Sequence, residues 1–398
     1  MFARMHPLRG KAAIVGLGIT DQGKVFHTNH VGFAVEAVQR ALADAGLERR
    51  DVDGLLLNPG LSWGEASMGA FQVQQALGLR NLTLAATMNL GGATAGAMVA
   101  HAAEAIAGGR CSVVVCVFSD APLKPPRPET KDSSRGASTG SGATYAFARG
   151  FEAAYGYFGI AAQYAMIARR YMHVYGLQQE HLGAVAVAQR QWANRNPIAQ
   201  YYDRPLTLEE YHASRWIVEP FHLYDCCLVS NGGLALVVTS AERARDLRQP
   251  PVYILGVGQG HPGGDPVETL ATGAPIAKQQ ALTMAGLTLD DIDVVELYDC
   301  YTFTVVISLE DYGFVEKGEG GPFIAAGSTA PGGSLPVNTG GGQLSAFYMW
   351  GMTPLSEAVI QLRGQGGARQ VPGARTALAS GNGGVLSTHS TTILGREV

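Results

Sequence analysis

Two stretches of the chain align without a gap: Ala41–Leu57, ALADAGLERRDVDGLLL, and Ala281–Leu297, ALTMAGLTLDDIDVVEL. Each reads Ala-Leu-x-x-Ala-Gly-Leu, then Asp-Val-Asp or Asp-Ile-Asp, then aliphatic residues. The pattern predicts a helix, a glycine that ends it in the left-handed conformation, a short loop and a buried strand. Gly46 and Gly286 fill the two cap positions. Upstream of Gly46, the residues Ala34, Ala37, Val38, Ala41, Leu42 and Ala45 recur at the 3.6-residue period of one helix face. A repeat of this kind in 398 residues marks a duplicated α/β unit.

A weaker correspondence supports the duplication. Asn89 opens NLGGATAGAMVAHAAEAI and Asn338 opens NTGGGQLSAFYMWGMTPLSEAVI. Both are an Asn, a glycine cluster and an amphipathic helix. The chain therefore divides into two related halves, 1–245 and 246–398. The first half is longer by a segment at about 120–240, which includes a polar Gly/Ser/Pro stretch from Lys124 to Gly142, read as a surface loop, a lid or a partner surface. Strands are expected at Ala12–Val15, Gly54–Leu57, Ser112–Phe118, Leu234–Thr239, Val252–Val257, Val294–Leu297 and Thr376–Ala379. Their continuous apolar runs, alternating with helices, predict buried, mostly parallel sheets.

Composition narrows the function. A net charge of −4, with no long basic run, excludes nucleic acid as an expected partner. No apolar stretch approaches the ~18 residues needed to span a bilayer, so no membrane association is expected. Met1–Lys11 lacks the charged-then-apolar layout of a signal peptide. The five cysteines, Cys111, Cys116, Cys226, Cys227 and Cys300, form no spaced ligand pair. Reduced thiols in a cytoplasmic protein are expected, with no disulfide framework and no metal site. The 52 glycines cluster, as tight turns and close backbone approach to a ligand require.

Five loops could carry chemistry. Ile14–Thr20, IVGLGIT, has Gly16 and Gly18 of a dinucleotide fingerprint but lacks its third glycine and its acidic residue, so a first strand ending in a tight turn explains it better. Asn89–Gly96 lies between strand and helix, where free N–H groups can hold an oxyanion; a packing turn is the equal alternative. Glu296-Leu-Tyr-Asp-Cys-Tyr-Thr ends a strand, where Asp299 could orient or cap and Tyr298 would point into a cleft; a core or rim tyrosine is the commoner reading of such a position. Asn338–Met352 crowds Phe347, Tyr348 and Trp350 before Gly351. Ala379-Ser-Gly-Asn-Gly-Gly is a further glycine loop after a strand. On the helix Ala161–Tyr175, the residues Arg169, Arg170 and His173 read as a solvated basic face.

Taken together, these segments resemble the thiolase superfamily, and within it the lipid-transfer-protein (sterol-carrier-protein) branch. ELYDCYTFTVVISLEDYGFVEKGEGG, Glu296–Gly321, resembles that branch's HDCF-type segment and the LEDLGFCEKGEGG after it. NTGGGQLSAFYMWGM and Gln361–Gly364 resemble its glycine-rich histidine loop and the following helix. The resemblance covers nearly the whole chain and implies a thiolase-like duplicated α/β fold, layered αβαβα with two mixed sheets.

The departures from that pattern bear on the reaction. The thiolase nucleophilic Cys has no counterpart in Gly91, Gly92, Ala93 or Thr94. The two catalytic histidines of the family match Tyr298 and Tyr348, and the second Cys, expected near Ser380–Gly381, is absent. Acyl transfer through a thioester needs a thiolate and its activating base, so thiolysis at this site is not supported. The tyrosine pair resembles the aldolase subgroup that cleaves the β-hydroxyacyl-CoA of steroid side-chain degradation. Ser214–Pro220 (SRWIVEP), Asp225–Cys227 (DCC) and Ala161–His173 resemble the same subgroup. The resemblance implies a homodimer working with a small zinc-ribbon/OB-fold-like partner protein.

The implied reaction is a retro-aldol cleavage in which the thioester itself accepts the electron pair. It needs no covalently bound cofactor, since CoA enters as part of the acyl-CoA substrate. Tyrosine ionises near ~10 in water, so a base needs nearby donors or a helix terminus. Tyr348, placed by the pattern at a helix start, is read as base and Tyr298 as acid, with the reverse assignment left open. Backbone N–H groups of Gly91, Gly92, Gly383 and Gly384 are read as the enolate-oxygen site, and Asp299 and Asn338 as supporting residues. Two alternatives stand beside this: an acyltransferase using Cys300 or Cys227, and a non-catalytic acyl-CoA-binding subunit.

Overall fold

The computed structural model describes residues 6–64, 68–126 and 159–398. From residue 127 onward, the loop read at Lys124–Gly142 lies outside the described residues. The strands are β1 (Ala12–Ile19), β2 (Gly54–Pro59), β3 (Leu84–Thr87), β4 (Val113–Asp120), β5 (Trp216–Val218), β6 (Phe221–His222), β7 (Gly232–Ser240), β8 (Val252–Gly260), β9 (Val294–Glu296), β10 (Thr376–Gly383) and β11 (Thr388–Gly395). The principal helices are α1 (His30–Ala45), α2 (Gly69–Leu77), α3 (Thr94–Ala107), α4 (Gly159–Tyr175), α5 (Gln179–Ala193), α6 (Ala274–Ala285), α7 (Thr302–Tyr312) and α8 (Met352–Leu362).

The duplication is exact in register over its first part. Gly16 and Gly18 of β1 lie against Ala41 and Ala37 of α1; a Cβ on either would stand 2.3 and 2.1 Å from those carbonyl oxygens. Their counterparts 240 residues on, Gly256 and Gly258 of β8, meet Ala281 and Ala277 of α6 at 2.0 and 2.1 Å in the same way. These glycines let helix and strand backbones touch, which is why IVGLGIT resembles a nucleotide fingerprint without being one. Gly46 and Gly286 end α1 and α6 with φ of 74° and 63°, as left-handed caps.

The strands follow the order β3-β2-β4-β7-β1-β8-β11-β10-β9, with β5 and β6 forming a separate hairpin. The two mixed sheets of the expected architecture are joined edge to edge by a short antiparallel pairing of β1 with β8. In it Ala13 faces Tyr253, its own counterpart across the 240-residue offset (253 − 13). The local two-fold axis of the duplication therefore passes through this pair. α1 covers β1, β7 and β4 on one outer face, and α6 covers β8 and β11 on the other. Between the two half-sheets run α3, which touches β2, β4, β7, β8, β10 and β11, and α8, which touches β9 and β10. The result is five layers. Every residue of α8 is buried, including the polar Glu357 and Gln361, whose side chains are hydrogen-bonded to each other and, for Glu357, to Arg369.

One expectation is corrected. The pairs β2–β3, β2–β4 and β9–β10 are parallel, whereas β4–β7, β7–β1, β1–β8, β8–β11 and β11–β10 are antiparallel. The continuous apolar runs reflect helices on both faces of the sheet, and burial of both faces does not require parallel strands. On α4, Arg169, Arg170 and His173 are exposed, and Arg169 pairs loosely with Glu219 at 3.6 Å, a solvated face as read.

Candidate active site

Three glycine loops meet where the two copies face each other. Gly91 adopts φ 58°, and a Cβ there would stand 3.0 Å from Gly383 Cα. A Cβ on Gly383 would stand 1.9 Å from Leu90 O, and one on Gly351 would stand 2.3 Å from Gly92 O. Backbone lies directly on backbone here, which only glycine permits. Gly384 (φ 58°) begins the turn from β10 to β11. The sequence-predicted residues Gly91, Gly92, Gly383 and Gly384 therefore come together. The Gly91 N–H, however, is already donated to Asn89 Oδ1 at 3.1 Å, so in this state it is not available to an enolate oxygen.

Tyr298 follows β9. Its N–H donates to Ser380 Oγ at 3.0 Å, and the preceding Leu297 N–H donates to Asn338 Oδ1 at 2.6 Å. Asn338 is in turn fixed at φ 52°, with its own N–H donated to Val295 O at 3.0 Å. The Tyr298 ring lies over Gly92: a Cβ at that glycine would stand 2.1 Å from Cε2 and 2.2 Å from Cζ. Tyr298 fills the space that any side chain at position 92 would enter.

Tyr348 comes from the Asn338 loop. After Gly341 the chain makes one π-helical turn, Gly342–Ala346, then runs extended through Phe347. Tyr348 is not at a helix start, since α8 begins only at Met352. The counterpart loop passes from Asn89 to Thr94 in five residues, whereas Asn338 to Met352 takes fourteen. The inserted residues carry the tyrosine away from the helix terminus that pattern reading assigned to it. The Tyr348 N–H donates to Ser230 Oγ at 3.1 Å. Its hydroxyl lies 3.1 Å from the hydroxyl of Tyr298, a direct phenol–phenol hydrogen bond.

The electrostatics favour neutral groups. Burial, reinforced by Tyr298, Cys227 and Cys300, holds Tyr348 well above the usual phenol range. Burial also pushes Cys300 and Cys226 up to about 12 and Cys227 well above the usual thiol range. Asp299 is fully buried and pushed up to about 7, against the opposing effect of the N–H groups it accepts. Those donors are Gln343 N–H, at 3.0 and 2.8 Å, and Leu344 N–H, at 3.2 Å. Asp299 therefore caps the π-helical turn that delivers Tyr348. Its carboxylate is aimed at that turn, and its link to the two tyrosine hydroxyls runs through the loop.

Residue patterns alone did not point to Ser230 as a site residue; Ser380, which accepts the Tyr298 N–H, sits where the resemblance expects a cysteine. Ser230 had no local signal, because its contacts join residues 118 positions apart.

The thiolase N-terminal domain model matches residues 12–219, and the thiolase C-terminal domain-like model matches residues 265–396. The chain is 40% identical over 372 residues to the 17-hydroxy-3-oxo-4-pregnene-20-carboxyl-CoA lyase of Mycobacterium tuberculosis, covering 90% of this chain and 92% of that one. It is 41% identical over 369 residues to the steroid side-chain-cleaving aldolase of Thermomonospora curvata, with the same coverage. The solved Ltp2-ChsH2(DUF35) aldolase superposes with a TM-score of 0.85 at 39% identity over 98% of both chains. On its two matched domains and these relatives, the chain belongs to the thiolase superfamily and, within it, to the group of steroid side-chain-cleaving aldolases.

Proposed function

We propose that this protein is an acyl-CoA retro-aldolase. It cleaves the Cα–Cβ bond of a β-hydroxyacyl-CoA of the steroid side-chain type and releases a ketone or aldehyde and a shorter acyl-CoA. The names of the relatives support the substrate class, and the 3.1 Å contact between the Tyr298 and Tyr348 hydroxyls carries the mechanism.

A phenol held above its ordinary pKa is a poor resting phenolate, and the hydrogen-bonded pair removes the need for one. The β-hydroxyl proton passes to the Tyr348 oxygen as the Tyr348 proton moves to Tyr298 and the Tyr298 proton moves to the substrate. The electron pair of the Cα–Cβ bond enters the thioester as an enolate, and the proton from Tyr298 completes the new C–H bond at Cα. Tyr348 is the base, Tyr298 the acid, and both end as neutral phenols. The enolate oxygen is assigned to backbone at Gly92 and the Gly383–Gly384 turn, where the loops converge. Asp299 and Asn338 hold the two tyrosine loops.

Acyl transfer through Cys300 or Cys227 is the weaker reading, because burial keeps both as thiols. The name of the solved relative supports a complex with a DUF35 partner, and we propose that this partner is small and of zinc-ribbon and OB-fold-like construction. Two copies of this chain form the core of the assembly we propose, in the cytoplasm. Among the described residues no helix is long and apolar enough to cross a membrane.

The test is co-expression with a DUF35-type partner and assay of steroid β-hydroxyacyl-CoAs for ketone release. Tyr298→Phe and Tyr348→Phe should each lose about 10²–10⁴ in kcat. Undiminished cleavage by both variants, or steady thiolysis by free CoA, would overturn the reading.

A further inference from the structure

The segment Asp225–Ser230 begins with the Asp-Cys-Cys motif, and the mechanism above leaves it unused. It runs between the two tyrosine loops and is tied to each in turn. Asp225 is fully buried, and its carboxylate accepts the Thr302 hydroxyl at 2.5 Å, the Tyr211 hydroxyl at 2.8 and 3.0 Å, and the His222 N–H at 2.6 Å. Cys226 forms an isolated antiparallel bridge with Tyr301, and the Cys227 N–H donates to Cys300 O at 3.0 Å. These ties hold the loop that follows Tyr298.

The direction of contact then changes. The Leu228 N–H donates to Gln343 O at 3.0 Å, inside the π-helical turn. Ser230 Oγ accepts the Tyr348 N–H at 3.1 Å and the Gln200 side-chain amide at 2.7 Å. One short run thus spans from Thr302 to Tyr348 and closes a ring whose last link is the hydrogen bond between the two phenols.

We propose that Asp225–Ser230 is a positioning strut for carbon–carbon cleavage, holding the Tyr298 and Tyr348 loops at the separation that keeps their hydroxyls in one hydrogen bond. The strut rests on the tyrosine mechanism proposed above. Its end residues, Asp225 and Ser230, act through the tyrosines and are positioning residues. A relay along one hydrogen bond is sensitive to its length, and a misplacement of about 1 Å is enough to slow a reaction about 100-fold. Loss of a tie should therefore lower kcat and leave substrate binding nearly as it was.

The experiment uses the complex with its partner and a steroid β-hydroxyacyl-CoA that the wild type cleaves. Ser230→Ala and Asp225→Asn should each lower kcat by about 10- to 100-fold while KM changes less than about threefold. The decisive readout is the double variant Ser230→Ala/Tyr348→Phe. A strut that acts through Tyr348 adds no further loss to Tyr348→Phe, whereas general loosening of the fold adds its own loss. Wild-type kcat in both single variants, or full additivity in the double variant, would overturn the strut. The tyrosine mechanism would still stand if Tyr298→Phe and Tyr348→Phe were inactive. A wild type that cleaves no β-hydroxyacyl-CoA would instead reject the function on which the strut rests.

Discussion

Replacing Gly92 by Ala puts the arrangement of the site under direct strain. The new Cβ would stand 2.1 Å from Tyr298 Cε2, 2.2 Å from Cζ and 2.4 Å from Asn382 O. Carbon atoms in ordinary contact sit about 3.5 Å apart, so the ring or the glycine loop has to retreat by roughly 1.4 Å. The ring cannot take up that shift and keep a hydroxyl–hydroxyl distance of 3.1 Å to Tyr348. Overpacking of this kind typically destabilises by about 1–3 kcal/mol. Catalysis should suffer more: a displacement beyond 1 Å predicts a loss of about 100-fold or more in kcat, near 2.7 kcal/mol of barrier. The assay is ketone release at saturating β-hydroxyacyl-CoA, with Tm measured on the same samples to separate misplacement from unfolding. Gly92→Ala retaining more than about a third of wild-type kcat would refute the claim that the Tyr298 ring must lie against a bare backbone.

Further predictions concern charge and thiols. Burial raises Asp299 to about 7 and Asp225 to about 6, while both ionise near ~4 once unfolded. Between about pH 4 and 7 the folded chain therefore binds more protons than the unfolded one, and stability from these groups is lost as pH rises through that window. Asp299→Asn and Asp225→Asn should flatten the fall in Tm between about pH 4 and 7, and unchanged slopes would reject the assignment. Cys226 and Cys300, pushed up to about 12, should alkylate slowly with iodoacetamide at pH 8, and intact mass after incubation with acyl-CoA should show no acyl adduct. The buried Arg369 guanidinium donates to both carboxylate oxygens of Glu357, at 2.9 and 3.1 Å. Arg369→Met leaves that carboxylate uncompensated and should destabilise by about 3–5 kcal/mol; a Tm within 1 °C of wild type would contradict this.

The parts legible in the sequence were those carried by local pattern. The aligned repeats located both helix caps, and the glycine clusters marked the loops that converge. The emptied nucleophile position and the two tyrosines followed from the family resemblance. Features set by contacts remote in sequence were not legible. Leu84–Thr87 is too short, and at LAAT too poor in β-branched residues, to announce a strand, yet β2 supplies its parallel partner. Strand direction was missed because an apolar run reports burial of both faces and says nothing of polarity. Tyr348 was placed on a helix because the aromatic cluster precedes Gly351, and nothing local shows that a π-helical turn intervenes. That turn exists because a buried carboxylate, Asp299, collects the N–H groups of Gln343 and Leu344. Ser230 was invisible for the same reason, since its role depends on a residue 118 positions away.

The two copies contribute unequally to the site, and the inequality bears on how such an enzyme can be rebuilt. The first copy brings bare backbone at Gly91 and Gly92, a mould with no reactive side chain. The second brings both phenols, on loops whose course is set by Asp299, Asn338 and the inserted π-helical turn. A repeat that has divided its labour in this way offers an asymmetric target for laboratory evolution. Diversity placed at 298–302 and 342–350 samples new chemistry over an intact mould. The same diversity placed at 89–94 first removes the surface on which any new side chain would have to rest.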